Sequence, residues 1–282
     1  MFWRDARNYQ ILFLGTFLSL GIFTRDWTIR PDLIAVITLT CLLTQMALNI
    51  LFNRNKLDKN QKKIDSLIFF NSWRSALITG LGLCLLLRAN SYTTMALAAS
   101  LAMASKFIFR VQDKHFFNPA NFGIIAALTL TQDAWVSPGQ WGTDWWYLLL
   151  FLGTGGMILK RVGRWETSAT FLLVYTLLEA IRNYWLGWSW DVLQHQLMSG
   201  SLLLFALFML TDPRSIPNAT MSRLIWAIAI ACFSFILQHL FYSSTAIFWA
   251  LFLLSPLTIF LDNWRNAPRF SWKTNSFKMS PN

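Results

Sequence analysis

Apolar residues recur in long, nearly uncharged runs from one end of this chain to the other, and no other feature limits its fold as tightly. A helix needs about 20 predominantly apolar residues to cross a bilayer. Ten spans can be drawn: Asn8–Thr24, Asp32–Phe52, Leu67–Leu87, Tyr92–Phe109, Asn121–Thr131, Trp145–Leu159, Glu166–Ile181, Gln194–Leu210, Arg223–Tyr242 and Thr245–Leu261. The fifth, of eleven residues, is too short to cross alone, so it extends into Lys114–Gly123 or forms a half-helix. The expected fold is an all-α integral membrane protein of about ten transmembrane helices. Residues 1–262 read as one transmembrane domain and 263–282 as a basic cytoplasmic tail. Ten spans could divide into two inverted five-helix repeats, although no residue match between the halves supports this.

Composition agrees. The chain is 55% hydrophobic and 13% charged, with fifteen Trp and twenty-four Phe, which is far from the balance of a soluble domain. Its formal charge of +11 could suggest nucleic acid, but the basic residues are spread over many short loops with no basic fold motif. The positive-inside rule accounts for them: with the N-terminus inside, nineteen of the twenty-four Lys and Arg fall on the inner side and four on the outer. An even number of spans then puts both termini in the cytoplasm. The first apolar run lacks a small-residue cleavage site and reads as a span, not a signal peptide. Cys41, Cys84 and Cys232 all sit inside apolar runs, too far apart for a metal motif, and read as small buried hydrophobes.

Candidate chemistry concentrates in Lys106–Gly123, KFIFRVQDKHFFNPANFG, the densest polar cluster in the chain. Lys114 and His115 could hold an anion, and Asn118 and Asn121 a polar ring or an ion. The alternative is a capped turn, with the Asn side chains satisfying backbone groups that Pro119 frees. Glu166 opens the seventh span beside Thr167 and Ser168, where the helix dipole alone would favour a carboxylate. The eighth span carries Ser199 and Gly200 at its outer side and Thr211–Asp212–Pro213 at its inner side, and Asp262 follows the last span. Asp212–Pro213 could simply end the helix or Asp212 could join a cation or flavin site, and Asp262 could be a helix cap or a coupling acid. Arg74 lies within a span, where it either snorkels or faces a cavity. GTGG at Gly153–Gly156 reads as a close-packing surface. Trp135, Trp141, Trp185, Trp188 and Trp190 suit the membrane interface. Gly-rich phosphate loops, zinc spacings and hydrolase triads are absent from the sequence.

The order of these motifs resembles the RnfD/NqrB family, the integral membrane subunits of ion-translocating electron-transport complexes. The resemblance rests on KHFFNPANFG, ETSA (Glu166–Ala169), HQLMSGSLL and FMLTDPRS (His195–Ser215), SRLIWA (Ser222–Ala227) and PLTIFLD (Pro256–Asp262). It implies a flavin-bearing redox subunit in a bacterial plasma membrane, working with other membrane or redox subunits. Family members hold FMN through a phosphoester bond to Thr in an S(G)AT-type motif after the Asn-Pro segment. This sequence has none between Asn121 and Leu159, and Ser199–Gly200–Ser201 carries Ser where Thr is expected. The implied cofactor is therefore FMN or riboflavin bound without a covalent link, with Lys114, His115, Asn118, Pro119, Asn121, Glu166, Thr167, Ser199, Gly200, Thr211, Asp212 and Asp262 as the implied binding residues. A transporter or channel moving a small solute between two helical halves is the alternative, and an accessory assembly subunit a third.

Overall fold

The computed structural model describes residues 5–24, 30–53, 62–137 and 145–270; Trp141, the linker at 54–61 and the tail beyond 270 lie outside them. Twelve α-helices and one π-helical segment carry almost all of the described chain: α1 (Ala6–Thr24), α2 (Pro31–Asn53), α3 (Lys62–Leu86), α4 (Tyr92–Ile108), α5 (Pro119–Leu130), α6 (Trp145–Val162), α7 (Trp165–Trp185), α8 (Trp190–Leu197), α9 (Gly200–Leu204), the π segment Phe205–Met209, α10 (Thr220–His239), α11 (Ala246–Leu254) and α12 (Leu257–Trp264). Two short antiparallel ladders join them, β1 (Leu87–Ala89) with β4 (Ala134–Val136) and β2 (Arg110–Val111) with β3 (Lys114–His115).

Each apolar run of the sequence becomes a helix, and two of them are broken. The eighth run divides into α8, α9 and the π segment, and the tenth is bent by 49° between α11 and α12. By length and composition, two described helices suffice to cross a membrane, Pro31–Phe52 and Thr220–His239, and the bent α11–α12 pair makes a third if taken as one span. The bend frees carbonyls that polar side chains then recover: Ser255 Oγ donates to Leu251 O at 2.6 Å and the buried Trp226 indole to Leu254 O at 3.3 Å.

The chain forms two compact units, residues 10–139 and residues 1–9 with 140–282. In the first, Asp133 fastens the end of α5 to the start of α4. Its carboxylate accepts from Thr94 Oγ at 2.6 Å and from Ser91 N at 2.9 Å. An anion at a helix N-terminus is stabilised by the helix dipole, and the Thr94 hydroxyl in particular holds the Asp133 carboxyl below the usual carboxylate range. Helices α4 and α5 touch at Gly123, where a Cβ would stand 2.6 Å from Ala98 O and 2.8 Å from Ala102 Cβ.

In the second unit, Gly155 of the GTGG stretch lies against Leu207 of the π segment, 2.8 Å from where its Cβ would be, whereas Gly153 and Gly156 face open space. Helix α7 stops at a Schellman turn: Gly187 (φ +66) donates to Tyr184 O, and Trp188 N reaches back to Asn183 O at 3.1 Å. Trp185, Trp188 and Trp190 around that turn are exposed, as an interface position requires.

Candidate functional site

The polar cluster at Lys106–Gly123 is a hairpin followed by a helix cap. Gln112 and Asp113 both have positive φ, 50 and 66, so they make the two-residue turn whose twist suits paired strands. Register places Arg110 opposite His115 and Val111 opposite Lys114. Successive strand residues point to opposite faces, so Lys114 stays half-exposed while His115 is buried. Asn118 caps α5 by accepting from Asn121 N at 3.0 Å, and Pro119 occupies the first turn, where its missing N–H costs nothing. Pro119 thus begins a helix here. Asn121 is buried, and the rings of Phe109, Phe117 and Phe122 lie edge-on or tilted with centroids within 5.3 Å of one another. Lys106 is buried too, its ammonium donating to Ser75 Oγ at 3.0 Å. Arg74 lies over the Trp73 ring, its guanidinium carbon 5.1 Å from the centroid.

The other sequence-predicted residues belong to the second unit, which organises itself on α7 and α10. Glu166, in the first turn of α7, accepts from Arg223, in the first turn of α10, through Nε at 2.9 Å and through Nη2. Arg223 is 3% exposed and Glu166 16%, so this pair is largely out of water. The Arg223 guanidinium also donates to Asn218 O at 2.5 Å and to Thr220 Oγ at 3.0 Å. Asn218 N in turn donates to Asp262 Oδ1 at 2.7 Å. Glu166 and Asp262, ninety-six positions apart in sequence, are therefore linked through Arg223 and Asn218.

Thr211 and Asp212 lead into the same loop. Thr211 Oγ donates back to Leu207 O at 2.9 Å, and Asp212 Oδ1 accepts from Arg214 N at 3.2 Å. Ser199 and Gly200 open α9 instead, with Ser199 Oγ 2.9 Å from Ser201 Oγ. At a helical rise of 1.5 Å per residue, they stand roughly 17 Å along the chain from Thr211. The structure therefore groups Glu166, Thr167, Thr211, Asp212 and Asp262 at one end of the second unit and leaves Ser199 and Gly200 apart.

What could a ligand use at that end? The Ser168 hydroxyl is taken, donating to Ala206 O inside the π segment, where the wider helix leaves carbonyls to be satisfied from outside. Two donors are not taken: Thr167 Oγ, on a fully buried residue, and Arg164 Nε are buried without a hydrogen-bond partner among the described residues. Burial, and the positive charge of Arg223 beside it, push the Arg164 guanidinium down to about 10. Two unpaired donors and a cation suit a flavin's ring carbonyls or its phosphate. In the first unit, a cavity of about 160 Å³ is lined by Arg30, Arg88, Met95 and Trp135; it falls below the roughly 300 Å³ at which ordinary ligand pockets begin and contains none of the sequence-predicted residues. Among the described residues no group of His, Cys, Asp and Glu could hold a metal ion.

Sequence reasoning missed Arg223 as the partner of Glu166, and it missed Tyr175, Glu179, Asn183 and His239 altogether. The signal was present: Thr167, Phe171, Tyr175, Glu179 and Asn183 recur every fourth residue, the spacing of one helix face, and all five are buried.

Comparison with known proteins bears on the second unit above all. Residues 130–271 match the family described as NQR2, RnfD, RnfE. Three relatives, each named as a subunit of an ion-translocating oxidoreductase complex, align with parts of the chain. The protein from Stutzerimonas stutzeri is 32% identical over 120 residues, 41% of this chain and 32% of its own length. That from Halorhodospira halophila is 28% identical over 117 residues, 42% of this chain and 33% of its own. That from Actinobacillus pleuropneumoniae serotype 5b is 27% identical over 103 residues, 36% of this chain and 30% of its own. The matched stretches thus span about a third of these relatives.

Proposed function

The chain belongs to the NQR2, RnfD, RnfE family, and from that premise we propose that it is a membrane electron-transfer subunit that binds a flavin without a covalent link. One observation carries the reading: the family match covers the end of the second unit where Glu166, Arg223 and Asp262 are joined and where Thr167 and Arg164 keep buried donors unpaired. Arg164 would face the phosphate or a ring carbonyl, Thr167 would donate a hydrogen bond, and Glu166 would hold Arg223 in place. Bound there, a flavin would supply one- and two-electron chemistry that no side chain offers.

In this reading the protein lies in a bacterial plasma membrane with both termini in the cytoplasm, and the inner positive charge keeps that orientation. Relatives named as subunits of an ion-translocating complex support partner subunits here and a coupling of electron flow to an ion. A second reading, a solute transporter, draws on the α11–α12 break, since broken helices mark binding sites in transporters.

The test is the visible absorption and fluorescence of the gently purified protein, before and after acid denaturation. Flavin bands released by acid are expected, and flavin retention should fall in Thr167→Val and Asp212→Asn. A folded, colourless protein would overturn the flavin reading and favour the transporter. Asn118→Ala is a separate arm. It removes the α5 cap at a cost of about 1 kcal/mol, and a loss of flavin beyond the accompanying loss of fold would return the site to the first unit.

A further inference from the structure

The far end of the α7–α10 pair holds a second buried polar group that the flavin reading does not use. Glu179 is 1% exposed, and its Oε1 lies 2.8 Å from His239 Nε2. One turn before Glu179 on α7, the Tyr175 hydroxyl donates to Gln238 Oε1 at 2.7 Å. One turn after it, Asn183 uses its amide N–H groups on Trp188 O and Ser189 O, both at 3.2 Å, and keeps Oδ1 buried without a partner among the described residues. Ser234, one turn before Gln238 on α10, is fully buried with its Oγ likewise unpartnered among them.

A carboxylate inside a helix bundle is costly unless it is paired or neutral. Against an imidazole the balance is simple: with one shared proton the pair is neutral or a balanced ion pair, and without it the pair carries one buried negative charge. Imidazole and carboxylate are both proton acceptors, and a proton bound between them at this distance belongs to the pair and not to either residue alone. Buried oxygens lacking a partner are the positions that ordered water fills, and Asn183 Oδ1 and Ser234 Oγ bracket the pair along the seam. The Asn183 side lies beside the exposed turn at Gly187–Trp188, which gives a short way out.

We propose that Glu179 and His239 form an internal site that takes up and releases one proton, reached through water held at Asn183 and Ser234. The ligand is the proton itself: it adds to the carboxylate–imidazole pair and leaves by the same hydrogen-bonded path, with no bond other than O–H or N–H formed or broken. The ionisable groups on the elements packed around the pair are Tyr175, Arg182 and Tyr184 of α7, Cys232 of α10, Tyr147, Lys160 and Arg161 of α6, and Asp191 and His195 of α8. The π segment and α11 contribute none, and Glu166 and Arg223 stand at the opposite end of the pair. The inference does not depend on bound flavin.

The experiment is acid-minus-alkaline infrared difference spectroscopy of the full chain in detergent, in H₂O and in D₂O, on wild type, Glu179→Gln, His239→Gln and the double variant. Wild type should show one deuterium-sensitive change, either a protonated-carboxyl C=O band that is missing in Glu179→Gln or an imidazole ring band that is missing in His239→Gln, with the band displaced in the other variant. Potentiometric titration over the same interval should count about one proton fewer when both residues are replaced, since the single site is then removed. A spectrum unchanged in both single variants, or a double-variant proton count equal to wild type, would overturn the proposal, as would a wild-type spectrum with neither band. If Glu179→Gln does not fold, His239→Gln and the charge-keeping Glu179→Asp decide: each should displace or remove the band, and two unmoved bands would refute the site. A colourless protein that still shows the band would defeat the flavin reading and leave this one standing.

Discussion

Removing Glu166 should destabilise the protein more than removing Arg223, and removing both should cost less than removing Glu166 alone. Arg223 is 3% exposed and Glu166 16%. Breaking a buried pair by deleting one partner costs about 3–5 kcal/mol, mostly because the surviving charge is stranded. In Glu166→Ala the stranded charge is the guanidinium, shielded from water, with Asn218 O and Thr220 Oγ as the acceptors left to it among the described residues. Those two acceptors keep the loss near the lower bound, about 3 kcal/mol. In Arg223→Leu the stranded carboxylate has more access to water and the Arg164 charge nearby, so about 1–2 kcal/mol is expected. The double variant Glu166→Ala with Arg223→Leu leaves neither partner of the pair stranded and should recover at least about 1 kcal/mol relative to Glu166→Ala. The assay is unfolding in mixed micelles followed by Trp fluorescence, analysed as a double-mutant cycle. Equal single losses that simply add in the double variant would refute the stranded-charge argument.

Two further outcomes follow from the first unit. Gly123→Ala should destabilise by about 1–3 kcal/mol through overpacking, because its Cβ would meet the backbone carbonyl of Ala98 at 2.6 Å, while the control Gly153→Ala in α6 of the second unit, where a Cβ meets open space, should not lower the melting temperature; a neutral Gly123→Ala would mean that α4 and α5 separate at no cost. Asp133, with its carboxyl held below the usual range by Thr94, contributes stability that is complete at neutral pH and lost as pH falls through and below the usual carboxylate range. Wild type and Asp133→Asn should therefore differ at neutral pH and converge in acid, and a difference that persists in acid would count against the account.

The apolar runs were legible because hydrocarbon thickness imposes a length on any helix that crosses it, and each run in the sequence does contain a helix. The breaks were less legible. Nothing in SLLLFALFML announces the π segment, because its carbonyls are satisfied from a different helix, by Ser168. At Lys106–Gly123 the residues stood out correctly, but their grouping hid the geometry. Asn118 and Pro119 serve the start of α5, and Gln112–Asp113 serve a turn, so Lys114 and His115 end on opposite faces of one strand. Glu166 was visible as a carboxylate at a helix start. Its partner Arg223 was counted only as an inner charge, because pairing over 57 residues is fixed by packing and not by local sequence.

Partner separations along α7 and α10 carry a further consequence. Glu166 meets Arg223 at 57 residues, Glu179 meets His239 at 60 and Tyr175 meets Gln238 at 63. A nearly constant offset means that the two helices run parallel, each with its start at the Glu166–Arg223 end. The contacts span thirteen residue steps of α7 from Glu166 to Glu179, about 20 Å of helix. Helix dipoles aligned side by side repel, and lipid provides little hydrophobic drive to press helices together. A parallel pair in such surroundings gains from polar contacts at both ends, and this one has an ion pair at its start and a carboxylate–imidazole pair near its finish. Phe171 and the fully buried Trp226 and Ile230 occupy the stretch between. They separate the two polar ends by apolar side chains, so a change of charge at one end reaches the other by moving the helices and not by a continuous file of hydrogen bonds.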